Sequence, residues 1–184
     1  MSGRLIAVIG PSGVGKDSVI AAMARARPSI HVVRRVITRA PDAGGEPFEP
    51  VSRATFARRL TGGQFALSWE AHGLMYGIPV GLGTILSEGQ DALVNLSRRV
   101  LREAAARYPS MMILALTAPP EILAARLADR GRETAADIAC RLGRRAPPVP
   151  DAVRVVTVAN DGRLSATVEA ALGALYPVSA MREI

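Results

Sequence analysis

Residues 10–18 read GPSGVGKDS, a stretch whose residue types and spacing suit one chemistry. Glycines at 10, 13 and 15 permit backbone turns that aim amide N–H groups at phosphate oxygens, and the helix expected to follow adds its positive end. Lys16 completes a G-x-x-x-x-G-K pattern with a compact ammonium suited to terminal phosphates. Where that pattern calls for a hydroxyl the chain has Asp17, with Ser18 one residue on and turned about 100° around the helix. A carboxylate is an ordinary Mg²⁺ donor beside phosphates, so Asp17 is the candidate metal ligand; its plainer role is an acid favourable to the helix dipole. The nucleotide-binding candidates are thus Gly10, Pro11, Ser12, Gly13, Val14, Gly15, Lys16, Asp17 and Ser18.

The lysine stands out further against the composition. Of 23 basic residues 22 are arginine, and Lys16 is the only lysine in the chain. A net charge of +7 invites a nucleic-acid partner, but three Phe, three Tyr and one Trp give no aromatic platform for bases. Small phosphorylated ligands account better for the charge, and no nucleic acid is expected. Apolar runs such as MMILALTA stop well short of the roughly 20 residues that cross a membrane. The opening MSGRLIAVIG is too briefly apolar for a secretory signal, so no membrane partner and a cytoplasmic location are expected. One cysteine, Cys140, allows no internal disulfide and makes no structural zinc site alone. The oligomeric state is left open, a homodimer being one option.

Elements to position the loop are visible in the periodicity. Apolar strand candidates at 4–9, 31–37, 92–96, 111–117 and 153–158 alternate with helix candidates at 16–26, 80–89, 98–107, 119–130, 134–145 and 163–175. Such alternation predicts an α/β fold, a parallel sheet covered by helices on both faces, with ligands at the carboxyl ends of the strands. Two segments break the rhythm. Residues 39–78 are rich in Gly and Pro, and residues 126–145 are dense in arginine.

Taken together, GPSGVGKDS, ITR, GGE, SWEAHGLMYGIP, LVNLSR and RGRE resemble the ribose 1,5-bisphosphate phosphokinases, guanylate-kinase-like enzymes of phosphonate breakdown that make 5-phosphoribosyl 1-diphosphate. The resemblance spans essentially the whole chain, and in that family Asp commonly follows the loop Lys. It implies a P-loop fold of three layers in a single kinase domain, with ATP and Mg²⁺ as cofactors and a sugar phosphate as acceptor. The core would be 1–38, 79–125 and 146–184, the acceptor-binding region 39–78, and the lid 126–145.

Guanylate kinases share the loop but read guanine with carboxylates. Here Leu67 stands where their base-reading Glu falls, Asn95 and Ser97 where they place acids after the third strand, and Asp42 replaces a second phosphate-gripping Arg. On the acceptor side, Arg39 and Tyr76 match phosphate-binding positions, while Arg35, Arg98 and Arg99 are candidates for a second phosphate. Glu46 resembles a family position, although Phe48 departs from the polar residue expected two places on. His72 is a candidate for a sugar hydroxyl, and Trp69 is read as packing.

By the same resemblance, Arg126, Arg130 and Arg141 match lid arginines, with Lys16, Arg130 and Arg141 the catalytic candidates. Arg132 and Glu133 add to the same stretch, pairing with each other being the alternative, and Asn160 resembles the adenine-side loop. A nucleoside monophosphate kinase is the first rival and a non-catalytic interaction module the second. The missing base-reading acids disfavour the former, and the retained loop lysine the latter.

Overall fold

The computed structural model describes residues 2–41, 47–129 and 147–177. In chain order its elements are β1 (Leu5–Ile9), α1 (Lys16–Ala26), β2 (His31–Val32), β3 (Val36–Ile37), β4 (Glu49–Pro50), α2 (Arg53–Thr61), β5 (Phe65–Ala71), β6 (Leu74–Pro79), α3 (Leu82–Ser87), β7 (Ala92–Asn95), α4 (Leu101–Arg107), β8 (Met112–Thr117), α5 (Pro120–Asp129), β9 (Arg154–Ala159) and α6 (Leu164–Leu175). A 3-10 turn at Arg98–Val100 leads into α4.

Strands with apolar residues at every position must be buried on both faces. Accordingly β1 lies at the centre of a parallel sheet ordered β2-β7-β1-β8-β9. Leu5, Ala7 and Ile9 face the cluster holding Leu82, Leu86 and Leu101 of α3 and α4. Ile6 and Val8 face the opposite cluster, with Val19, Ile20 and Met23 of α1 and Val168, Ala171 and Leu175 of α6. Each large side chain so buried contributes about 1.5–3 kcal/mol. Because the chain crosses from β7 past β1 to β8, a crevice opens at the carboxyl ends of those strands, where α/β sheets bind ligands.

The strand expected over 31–37 is instead two strands in different sheets. β2 pairs with β7, whereas β3 joins a second sheet ordered β4-β3-β6-β5. Val33 still donates to Leu93 O at 2.9 Å, but by Arg35 the backbone has turned to accept from Glu49 N at 2.8 Å. Two consecutive arginines carry the chain off the first sheet. Residues 39–78, read as lacking rhythm, contain β4, α2, β5 and β6, short elements with a bulge between Phe65 and Leu67 that periodicity does not reveal. The helix expected over 80–89 shortens to α3 and ends before Gly89, whose φ is 84°. That expected over 98–107 starts as the 3-10 turn. The expected helix at 134–145 lies outside the described residues.

The β5–β6 hairpin closes on His72 and Gly73, both left-handed at φ 52° and 71°. With Ala71 paired to Leu74, the loop has two residues, the length that left-handed turns suit, and histidine tolerates that region better than most side chains. This fixes the register and sets Trp69 opposite Tyr76.

At the far end of the sheet Asp91 joins the residue before β1 to the residue after α6. Its Oδ2 accepts from Arg4 Nη2 at 2.7 Å and from the Tyr176 hydroxyl at 2.8 Å, and its Oδ1 accepts from Arg4 N at 2.7 Å. The Arg4 and Arg27 guanidinium carbons lie 4.5 and 3.9 Å from the Tyr176 ring centroid. Burial pushes the Asp91 carboxyl up, but the Arg4 hydrogen bonds and the Tyr176 hydroxyl outweigh it and hold it below the usual range. Burial and the Asp91 carboxylate push Tyr176 up to about 12.

Asp91→Ala leaves four donors unanswered, Arg4 N, Nε and Nη2 and the Tyr176 hydroxyl, and should cost about 2 kcal/mol, lowering Tm by roughly 5 °C in calorimetry. The depressed Asp91 carboxyl binds protons more weakly folded than unfolded. Its contribution is therefore present above the unfolded value, about 3.9, and is lost as pH falls through the lower folded value. Tyr176 holds its proton more tightly when folded, so stability should also decline as pH rises from about 10 towards about 12. The variant's acid limb should be flatter than the wild type's.

Candidate active site

The glycine loop joins β1 to α1 at the carboxyl end of the sheet and is packed from behind. Gly13 and Gly15 are left-handed, at φ 82° and 86°. A Cβ at Gly13 would lie 3.1 Å from Leu123 O of α5, and one at Gly15 would lie 2.8 Å from Asn160 Nδ2. Asn160, 5% exposed, donates from Nδ2 to Val14 O at 2.7 Å and accepts at Oδ1 from Thr167 Oγ1 at 2.9 Å. Its carbonyl accepts from Arg126 Nη1 at 2.7 Å. Expected on the nucleotide's adenine side, Asn160 thus has its side chain committed to the loop. An open cavity of about 330 Å³ lies on this side, bordered by Gly13, Gly15, Ser18, Arg126, Asp129 and Asn160.

On the other side Lys16 Nζ donates to Gly10 O at 2.9 Å and Pro11 O at 3.1 Å, curled back over its own loop. Asp17 Oδ1 accepts from Asn95 Nδ2 at 3.0 Å, which ties the first turn of α1 to the end of β7. Ser12, Lys16, Asp17, Arg35, Arg39 and Asn95 border a small polar cavity of about 160 Å³ at the loop mouth. Among the described residues no group of three His, Cys, Asp or Glu could hold a metal alone. A single carboxylate whose shell is completed by phosphate oxygens and water is what Mg²⁺ takes at such loops, so Asp17 fits the ion.

A cavity of about 480 Å³ opens between the loop, the β5–β6 hairpin and the segment after β7. Gly10, Pro11, Ser12 and Lys16 border it on one side, Trp69, His72 and Tyr76 on another, and Asn95, Ser97, Arg98 and Arg99 on a third. Arg35, 9% exposed, closes it. Among the described residues no Asp or Glu borders it. Burial pulls the Arg35 guanidinium down to about 10, against the pull of Tyr76 and Asp17 and with some help from Arg39, so it remains charged at neutral pH. Ser97 Oγ accepts from Arg99 N at 3.3 Å and so caps the turn that presents the two arginines. Arg98 donates to Pro147 O and Arg99 to Glu70 O, each at 3.4 Å.

The residues read from the sequence therefore gather around the loop but divide among cavities. Arg39 borders the small cavity, with its guanidinium 4.9 Å from the Phe48 ring centroid, which gives the departure at Phe48 a place. Tyr76, His72, Ser97 and Arg98 border the large one, and Arg35 and Asn95 border both. Leu67 is buried in the core rather than facing a ligand. Asp42, Glu46, Arg130, Arg132, Glu133 and Arg141 lie outside the described residues. Trp69, read as packing, packs against the core and also borders the large cavity. The available signal was the His72–Gly73 turn, which sets Trp69 across from Tyr76.

Compared with known proteins, the chain is 49% identical over 167 residues to the ribose 1,5-bisphosphate phosphokinase PhnN of a Ruegeria species, covering 90% of this chain and 88% of that one. It is 50% identical over 178 residues to the protein of the same name from Acidiphilium cryptum, covering 95% and 93%. Among solved structures, guanylate kinase from Anaplasma phagocytophilum matches with a TM-score of 0.67 at 19% identity, over 91% of this chain and 81% of that one, a likeness of fold. No family model matches the chain.

The Asn160 contacts make the loop's rigidity testable. Asn160→Ala strands the Val14 carbonyl and leaves the Thr167 hydroxyl only its 3.3 Å bond to Ala159 O, so stability should fall by about 1–3 kcal/mol in denaturant unfolding. Should the loop hold a nucleotide's phosphates as its sequence implies, the nucleotide KM should rise several-fold more than the KM of the second substrate.

Proposed function

The chain belongs to the ribose 1,5-bisphosphate phosphokinase family, and on that premise we propose that it transfers the γ-phosphoryl group of ATP to ribose 1,5-bisphosphate, giving ADP and 5-phosphoribosyl 1-diphosphate, as a step of phosphonate degradation. An oxygen of the acceptor's 1-phosphate forms the new bond to the γ-phosphorus, while the bond to the β-phosphate oxygen breaks and its electron pair leaves with ADP. With a second pKa of about 6, that attacking oxygen is already anionic at neutral pH, so no general base is needed. Positioning and charge stabilisation then supply the catalysis.

One observation carries this reading: the 480 Å³ cavity joins the loop lysine to Arg35, Arg98 and Arg99 with no carboxylate at its border among the described residues. A bisphosphate needs separated cations, and a guanine base needs acids. Leu67, buried in the core, offers no base edge a partner.

Within this reading Lys16 leaves the Gly10 and Pro11 carbonyls to neutralise the β- and γ-phosphates, and the loop amides hold them. Arg39 and Arg35 hold the acceptor's phosphates at the loop mouth, where the transferring group arrives. Tyr76, His72, Ser97, Asn95 and Arg98 hold the sugar phosphate, and Ser18 and Arg126 border the nucleotide. Glu46 is assigned to the acceptor and Arg130 and Arg141 to the lid, by their family positions. Mg²⁺, when bound, draws negative charge from the phosphate oxygens, with Asp17 as its protein donor. No helix among the described residues is long and apolar enough to cross a membrane, and small phosphorylated ligands in the cytoplasm are the proposed partners.

An ADP-release assay offering ribose 1,5-bisphosphate, GMP and AMP tests the reaction. Turnover should be confined to the sugar bisphosphate; phosphorylation of GMP with the sugar inert would overturn the reading. In the same assay Lys16→Ala should lose about a thousandfold in kcat. Arg35→Met should raise the acceptor KM about tenfold or more while Tm holds or rises, because a desolvated charge is removed.

The metal role is checked by Mg²⁺ titration with a calorimetric readout of Mg²⁺–nucleotide binding. Asp17→Ala should shift the Mg²⁺ requirement upward about tenfold, and Asp17→Ser, which keeps an oxygen donor, by less. Equal requirements in all three proteins would leave Asp17 as a helix-end acid.

A further inference from the structure

The chain's single tryptophan borders the acceptor cavity within a fixed aromatic stack. Trp69 and Tyr76 face each other across β5 and β6, ring centroids 5.2 Å apart and planes only 3° from parallel. The Arg35 guanidinium carbon lies 5.1 Å from the Tyr76 ring centroid and 5.9 Å from that of Trp69. Behind the stack the indole packs on the core, so the wall is braced from the backbone, from the interior and by a buried cation. Lys16 borders the same cavity.

We propose that Trp69 is a specificity-determining residue for the acceptor: with Tyr76 it forms a rigid aromatic wall that takes the C–H face of a phosphorylated pentose and denies space to a nucleobase. This rests on the acceptor reading above. An indole has one N–H donor and no acceptor, so it cannot answer the mixed donors and acceptors of a base edge. Its apolar surface suits the C–H side of a sugar ring, whose charges the cavity's cations take at either end. The parallel stack fixes the ring before ligand arrives, which limits the ordering cost of binding.

Because Trp69 is the sole tryptophan, tryptophan emission, excited where tyrosine does not absorb, reports on this wall alone. Ribose 1,5-bisphosphate added to the nucleotide-free protein should change the emission along the isotherm that calorimetry gives. Trp69→Ala should raise the acceptor KM about tenfold, with kcat and the ATP KM within about twofold of wild type. Trp69→Phe should recover most of the loss, and Trp69→Ala should gain calorimetric binding of AMP or GMP that the wild type lacks. If calorimetry shows acceptor binding while the emission stays unchanged, the contact is absent and the proposal fails; the wild-type measurement decides this even if Trp69→Ala does not fold. An unchanged acceptor KM in a folded Trp69→Ala also overturns it. A wild type that neither binds nor phosphorylates ribose 1,5-bisphosphate brings down the acceptor reading itself, and this inference with it.

Discussion

The site depends on a loop that must present backbone amides without collapsing onto them. Two left-handed glycines supply the curvature, but curvature alone leaves the loop free to move. The Asn160 carboxamide restrains it, spanning from the Val14 carbonyl to the Thr167 hydroxyl in a position that a side chain at Gly15 would contest. Asn160 itself follows the last residue of β9, and its N–H donates to Thr117 O at the end of β8 at 2.7 Å. The loop is therefore referenced to the parallel sheet, whose central strands are buried on both faces.

From that fixed loop the second sheet sets the distance to the opposing wall. The two sheets meet where β2 gives way to β3, and Arg35 sits at that seam. Taking a guanidinium from water is costly, and the pull on its pKa shows the cost. Two electron-rich rings and the Asp17 charge offset part of it. A dianionic ligand would offset more, so the seam is most comfortable when occupied.

The parallel core and the loop were legible in the sequence because both leave local marks. Two-sided burial writes continuous apolar runs at β1 and β8, and phosphate loops require glycine at set spacing. The break within 31–37 was not legible, because both halves read as strand and only pairing partners separate them. Likewise the mixed sheet over residues 36–79 is built from strands as short as two residues, held by partners distant in sequence. At the site, arginine types pointed to phosphate, but their division between two cavities depended on where the seam fell. Trp69 was assigned to packing because one residue type serves both core and cavity, and its partner lies across a hairpin whose register had to be known first.

The acid after the loop lysine shows how one substitution constrains another. Asp17 and Asn95 come from different elements, yet their side chains meet at 3.0 Å. Were position 95 a carboxylate, as where guanylate kinases place acids after the third strand, two like charges would share that distance and one would be driven to hold a proton. An amide removes the repulsion and donates to Oδ1, leaving Oδ2 outside the bond. With an amide at Asn95 the end of β7 is neutral, and no Asp or Glu among the described residues borders the large cavity. The change that first resembles damage to a metal position thus also clears negative charge from the place where an acceptor with two phosphates is proposed to bind.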